Sequence, residues 1–233
     1  MTPAEAMRKL FGLQGNPEWP SRFNLSPGQA ILGVRPANGE MIAELNSGPL
    51  NICVMQWGLI PGWAKDPEIG RKCFNARGET VAENPSFRAA FRRRRCLIPV
   101  SGFYEWAPAR GKATGKRPHR ISMTDNEPFA LAGLWENWTG PDGAQVLSFT
   151  VLTRDASPWA AHIHDRMPVL LTADQYDNWL DPSLTEARQV SQLVMPWGGA
   201  PLAIEPVSHA VNRVANDGPE CLAPRAVQQS LFD

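Results

Sequence analysis

The fold class this sequence predicts is α+β: one domain with a mostly antiparallel, barrel-like β-sheet flanked by short helices. Three observations carry that reading. Strand-like runs outnumber helical ones along the 233 residues. Neighbouring runs lie close in sequence without a regular βαβ period, which favours hairpin-like neighbours over crossovers. The composition, 43% apolar with nine Trp, supplies core for one domain over residues 1–233, and no stretch is biased enough to be a linker.

Each element has a local cause. Thr2-Pro3-Ala4-Glu5 reads as a capping box with Pro at the first helical position. Met7, Leu10 and Phe11 then share one apolar face, and Gly12 stops the helix. Strands are expected at 29–35, 41–45 and 52–59, broken by Pro36 and by Asn46-Ser-Gly-Pro49. Asn84 caps a helix with Pro85 first and Phe87, Ala90 and Phe91 facing inward. Strand-like runs return at 96–105, 119–124, 129–135, 146–153 and 167–172, and residues 107–118 read as an exposed basic loop. Helical patterns at 173–180 and 184–194 and a strand near 202–207 close the chain.

Composition also narrows function. No apolar run approaches the length of a membrane span, and the polar first residues lack a signal-peptide core, so a cytoplasmic protein is expected. The four cysteines (Cys53, Cys73, Cys96, Cys221) stand apart with no C-x-x-C pair. That argues against a zinc site or a disulfide framework and predicts buried thiols without function. Net charge is zero, yet residues 71–120 hold thirteen Lys or Arg against three acids, a net of +10 balanced by −10 elsewhere. Such a basic region is the footprint of a phosphate-backbone binder. For Arg92–Arg95 alone, the end of a solvated helix, where cations meet the C-terminal dipole, accounts for the run equally well.

Three strings hold the chemistry. In Asn75-Ala-Arg-Gly-Glu-Thr80, Asn75 and Arg77 share a face if the segment is extended, so an amide and a guanidinium could orient a polar reactant and hold a phosphate. In Gly102-Phe-Tyr-Glu-Trp106, Glu105 stands in an apolar, aromatic stretch. Tyr104 and Trp106 as flanking rings would desolvate the carboxylate and raise its pKa toward acid–base use. In His164-Asp-Arg-Met-Pro168 the imidazole is the candidate proton carrier. His162 would share its face in an extended segment, but no third ligand accompanies the pair, so no metal or other cofactor is expected. His119, among basic residues, reads as surface. Trp57 reads as packing, whereas Trp63, beyond Gly62, reads as a platform on which a base stacks.

Together Trp57-Gly-Leu-Ile-Pro-Gly-Trp63, Asn75 to Thr80, the run from Arg94 to Trp106, and His164 to Pro168 resemble the SOS-response-associated peptidase (SRAP) family. The matches keep their order from about residue 24 to residue 172. The resemblance implies a protein that binds single-stranded DNA and traps abasic sites covalently. In that family an N-terminal cysteine, freed by autocatalytic Met removal, condenses through its α-amine with the sugar aldehyde, and its thiol closes a thiazolidine. Carried over by resemblance, Asn75 orients the amine and the sugar. Glu105 is the acid–base catalyst, His164 assists ring opening and reversal, and Arg77 grips the flanking phosphates. Trp63, Trp106 and Arg166, inside the matched strings, complete the expected DNA-binding set. The expected partner is single-stranded DNA with abasic sites, met by a monomer, with no membrane. Position 2 here is Thr2, so the expectation is a true start upstream with a Met-Cys lead. Thr2 is a poor substitute nucleophile because Pro3 follows it and helix capping engages it. A non-catalytic single-stranded DNA-binding module is the alternative, ahead of a small-substrate hydrolase using Glu105 and His164.

Overall fold

A computed structural model describes residues 3–12, 19–37, 50–108 and 115–224. Helix α1 (Pro3–Phe11) precedes strands β1 (Ala30–Pro36), β2 (Leu50–Trp57) and β3 (Asn75–Arg77). Helix α2 (Arg88–Arg93) comes next, then strands β4 (Arg95–Val100), β5 (Phe103–Pro108), β6 (Lys116–Met123), β7 (Phe129–Thr139) and β8 (Gln145–Asp155). After them come β9 (Arg166–Pro168), β10 (Leu170–Leu171), α3 (Tyr176–Leu180), α4 (Ala187–Ser191) and β11 (Leu202–Pro206). Thr2 and the strand expected at 41–45 lie outside the described residues.

Five strands close into a barrel. β1 runs antiparallel to β2 from Ala30↔Gln56 to Pro36↔Leu50, and meets β4 at Val34↔Leu97. β4 pairs antiparallel with β7, and β7 with β8. A short parallel seam between β2 and β8, Gln56↔Ser148 and Trp57↔Phe149, completes the ring. The α+β, mostly antiparallel barrel expected from the sequence is therefore the fold.

Strand periodicity explains why both faces of this wall are apolar. Residues at alternate positions point to opposite sides. Ile31, Met55, Cys96, Ile98, Leu131, Phe149 and Val151 meet inside the barrel. Their chain neighbours Leu32, Leu97, Ala130, Ala132 and Leu152 face outward, where Met7 of α1, Phe91 of α2 and Tyr176 and Trp179 of α3 cover them. Phe87, Ala90 and Phe91 all point into that core as expected, although α2 begins only at Arg88. The Asn84 side chain instead accepts from the Ser86 N–H at 2.9 Å, in the turn before the helix.

The run expected as one strand at 96–105 is two. The chain leaves the barrel at Ser101-Gly102 and enters a second sheet of order β11–β6–β5. There Phe103 packs edge-on against Phe129 of the barrel, 6.5 Å between centroids. Tyr104 and Trp106 turn the other way, onto a small cluster with Val207, Val211 and Cys221. The expected loop 107–118 is β strand at both ends, and residues 109–114 are outside the described set. The helix expected at 184–194 is shorter, five residues in α4. All four cysteines are buried and free. Among the described residues no helix is long and apolar enough to cross a membrane.

Candidate active site

β8 organises the site. On one edge β3 pairs in parallel, Asn75↔Val151 and Arg77↔Thr153, and on the other β9 pairs antiparallel, Thr153↔Pro168 and Asp155↔Arg166. Positions 151, 153 and 155 alternate onto one face, so Asn75, Arg77 and Arg166 lie on that face too. Asn75 and Arg77 are exposed while Ala76 between them is 1% exposed, as the shared-face expectation required. Arg77 forms no ion pair with any described residue, which leaves its guanidinium available to an incoming anion.

Glu105 stands in β5 opposite His119. Burial pushes its carboxyl above the ordinary carboxylate range; the charge of His164 is the largest opposing influence, followed by repulsion from Asp165 and attraction to Lys116. The direction expected from the sequence and its cause, desolvation, both hold, but the two rings expected to supply that burial do not. Tyr104 and Trp106 are strand neighbours of Glu105, so their rings point to the opposite face. The Tyr104 hydroxyl donates to the Phe23 carbonyl at 2.7 Å, and Trp106 Nε1 donates to Asn212 Oδ1 at 2.8 Å. Trp106, expected to touch DNA, is thus half-buried on the face away from Glu105 with its one N–H engaged. His119 is half-buried in β6, not a loop surface residue.

His164 follows a tight turn in which Ala160 and Ala161 N–H donate to the Ser157 carbonyl and Ile163 N–H to that of Ala160. This turn replaces the extended segment that would have set His162 and His164 on one face; His162 is exposed and Ile163 buried. The Arg166 N–H donates to His164 Nδ1 at 2.9 Å, while Asp165 Oδ1 stands 3.1 Å from the same nitrogen. A backbone N–H has only a proton to offer, so in the neutral ring Nδ1 accepts and Nε2 carries the hydrogen. Asp165 Oδ1, 89% exposed, and the Arg166 carbonyl at 3.2 Å pair with this nitrogen only when Nδ1 itself carries a hydrogen.

Arg166, expected to grip DNA, has its guanidinium engaged within the protein. Nη1 donates to Glu79 Oε1 at 2.9 Å and Asp155 Oδ1 at 2.6 Å; Nη2 donates to Glu79 Oε2 at 2.8 Å and Thr153 Oγ1 at 3.3 Å. The Arg166 hydrogen bonds hold the Glu79 carboxyl down at about 2. Glu79, Thr153 and Asp155 were not singled out in the sequence. Of the three, only Glu79 lies within a chemistry-bearing string, Asn75-Ala-Arg-Gly-Glu-Thr80.

Trp63 is 61% exposed, with Nε1 donating to the Pro85 carbonyl at 3.3 Å, so its ring presents a free face. Its turn is closed by the Ala64 N–H, which donates to the Pro61 carbonyl at 2.8 Å; earlier in the string, Gly58 has a φ of +129° and lies so close to Gly70 that a Cβ would stand 2.6 Å from the Gly70 carbonyl oxygen. Trp57 is packing as read, stacked on Phe149 at 6.2 Å. Among the described residues no cluster of His, Cys, Asp and Glu could hold a metal ion.

The site thus holds an exposed Asn–Arg pair on β3 and a half-buried glutamate on β5 under the charge of a histidine. Residues 1–214 fit the family described as SOS response associated peptidase (SRAP). The chain belongs to the SRAP family. Abasic site processing protein YoqW of Bacillus subtilis (strain 168) is 37% identical over 206 residues, covering 88% of this chain and 87% of that one. Abasic site processing protein HMCES of Gallus gallus is 30% identical over 250 residues, covering 94% and 72%. A crystal structure of a protein from Bordetella bronchiseptica superposes with a TM-score of 0.73 at 25% identity, over 89% of this chain and 97% of that one. One from Bacteroides thetaiotaomicron gives 0.69 at 26%, over 82% and 80%. The SRAP resemblance read from the four strings is thus borne out.

Proposed function

We propose that this SRAP chain binds single-stranded DNA and processes abasic sites in it through a covalent adduct with the sugar aldehyde; the names of its relatives support the abasic-site part of that reading. The observation that carries the reading is the burial-raised carboxyl of Glu105 under the charge of His164. A carboxyl that stays protonated above the ordinary range can protonate a departing hydroxyl, and the imidazole can exchange protons with the ring oxygen of the sugar. In the reaction an N-terminal cysteine α-amine adds to the aldehyde carbon to give a carbinolamine. Proton donation by Glu105 lets water leave, forming the imine. The cysteine thiol then adds to the imine carbon while the nitrogen takes the proton, so amine, thiol and aldehyde become thiazolidine and one water. Asn75 orients the amine and the sugar, and His164 assists opening of the sugar ring and reversal. The same carboxyl serves the Met removal that frees the cysteine. Arg77 holds a flanking phosphate and Trp63 stacks on a base; Trp106 and Arg166, already tethered, shape the surface around them. We assign the work to a cytoplasmic monomer acting in the DNA-damage response.

The test uses a single-stranded oligonucleotide with one abasic site, mixed with the chain as written and with a form led by Met-Cys. Binding by both forms and a denaturant-resistant adduct from the Met-Cys form are expected. Glu105→Ala and His164→Ala should each slow the adduct by about 100-fold. Trp63→Ala should weaken binding by about 1–3 kcal/mol, the worth of one stacked base. No adduct from the Met-Cys form, or full rates in both catalytic variants, overturns the reading; binding without adduct favours the non-catalytic module.

A further inference from the structure

One carboxylate lies outside the roles assigned so far, yet it joins the two halves of the site. Glu79 follows β3 by two residues and reaches β9 across 87 positions of sequence. Its two oxygens take the Arg166 fork at 2.9 and 2.8 Å, and Oε1 also accepts the Asp155 N–H at 3.1 Å. With Asp155 Oδ1 and Thr153 Oγ1 as further acceptors, all four terminal N–H groups of Arg166 are used. A bidentate pair of this kind fixes direction as well as distance. The backbone N–H of the residue so fixed is the donor to His164 Nδ1 at 2.9 Å.

We propose that Glu79 is a positioning residue: by locking Arg166 it fixes which nitrogen of His164 carries the proton, and it holds the end of β3, with Asn75 and Arg77, against the His164 segment. The proposal rests on the reading of His164 as a proton carrier for its catalytic consequence, but its structural half stands without DNA. Three groups compete for the ring. The Arg166 amide presents a proton to Nδ1, whereas Asp165 Oδ1 at 3.1 Å and the Arg166 carbonyl at 3.2 Å would accept one from it. Glu105 on β5 acts on the ring only through its charge. The amide wins while its peptide is held still, because Asp165 is 89% exposed and water screens its pull. Releasing the Arg166 fork loosens that peptide, which the Ala156 N–H still holds through the Asp165 carbonyl at 2.8 Å, and Nδ1–H then competes better. Asp155, 80% exposed on its side chain and directly opposite Arg166 in the ladder, cannot substitute for Glu79, because it does not reach β3.

The experiment reads the ring nitrogens of His164 by 15N NMR in the DNA-free chain, at a pH where the ring is neutral. Wild type is expected to be mainly the Nε2–H tautomer. Glu79→Gln, which keeps shape and one acceptor, and Glu79→Ala should lower the Nε2–H to Nδ1–H ratio several-fold, with Asp155→Asn smaller in effect. An unchanged ratio in both Glu79 variants, each showing a native-like amide spectrum, overturns the proposal. In the Met-Cys-led form, Glu79→Gln should slow adduct formation by about tenfold at unchanged DNA affinity, the signature of misplacement and not of lost binding. A shifted tautomer ratio in a protein that forms no adduct would remove the functional reading and leave Glu79 as the positioning residue. Normal adduct rates with an unshifted ratio would do the reverse.

Discussion

Glu105 and Glu79 are two carboxylates of one site driven in opposite directions, and each leaves its own mark on stability. Burial raises the Glu105 carboxyl, so between the ordinary value of about 4.3 and its raised one the folded state binds more protons than the unfolded chain. Stability contributed there falls as pH rises through that window and stays lower above it. Glu105→Gln removes the cost without changing shape: the Tm at pH 7 should equal or exceed that of wild type while abasic-DNA processing drops about 100-fold. A clear fall in Tm at pH 7 would mean that Glu105 is a structural hydrogen-bonding residue instead. Glu79, held at about 2 by Arg166, behaves conversely: its contribution is present above about 4.3 and is lost as pH falls toward about 2. Scanning Tm from pH 5 to pH 2 should show a shallower decline in Glu79→Gln than in wild type. At this scale the sequence was half legible. An acid in an aromatic string announces burial, but strand alternation sends Tyr104 and Trp106 to the far face, and the partners of Glu79, Asp155 and Arg166, lie 76 and 87 residues away.

At the level of elements, the run Arg92 to Arg95 divides two and two. Arg92 and Arg93 are exposed at the end of α2. Arg94 pairs with Glu136 at 2.6 Å, and Arg95 is 3% exposed. The Arg95 guanidinium donates to the Phe91 carbonyl at 3.1 Å and the Arg92 carbonyl at 2.8 Å in the last turn of α2, and to the Trp179 carbonyl at 2.6 Å and that of Asp181 at the end of α3. It also lies 5.8 Å from the centre of the Trp179 ring. One side chain therefore satisfies open carbonyls of two helices and ties both to the barrel wall, since Trp179 Nε1 donates to the Cys96 carbonyl at 2.9 Å. Arg95→Met should cost on the order of 3 kcal/mol, because hydrogen bonds to a charged group are worth about 1.5–3 kcal/mol each and the freed carbonyls stay buried. Denaturant unfolding checks this; a loss under about 1 kcal/mol would show that water reaches those carbonyls. The helix-end reading of the run anticipated this use of cations, but not which arginine turns inward. The parallel β2–β8 seam was not legible at all: Gln56 and Ser148 carry no local sign of a partner so distant. The same holds for the break at Ser101-Gly102, where apolar strand pattern continues through a change of sheet.

The whole molecule is neutral, so its attraction for DNA depends on where its cations stand and not on their number. The segment 71–120 carries +10, which read as a DNA-facing surface. Much of that charge is spent inside the protein: Arg94 on Glu136, Arg95 on helix carbonyls, and Arg120 on the Ser101 carbonyl at 2.8 Å and Asn126. Arg71 is paired with Glu68 at 2.9 Å. Among the described residues Lys72, Arg77, Arg88, Arg92, Arg93 and Lys116 remain exposed, and Arg77 alone among them shares the β8 face with Asn75 and Arg166. Composition therefore overstates the footprint, and the number of phosphates actually neutralised is a measurable quantity. For single strands, the logarithm of the binding constant falls with the logarithm of salt concentration by about 0.7 per phosphate contact. Arg77→Ala should make that slope shallower by about 0.7 and weaken binding alike for all sequences. Arg94→Ala should leave the slope nearly unchanged, because its charge already belongs to Glu136. Paired substitution of Arg92 and Arg93 locates the strand: a further drop in slope carries the DNA path past the end of α2, and no drop confines it to the barrel end around β3. If Arg77→Ala leaves the slope where it was, the phosphate beside the lesion is held elsewhere, and the exposed face of β3 is not the DNA-binding surface.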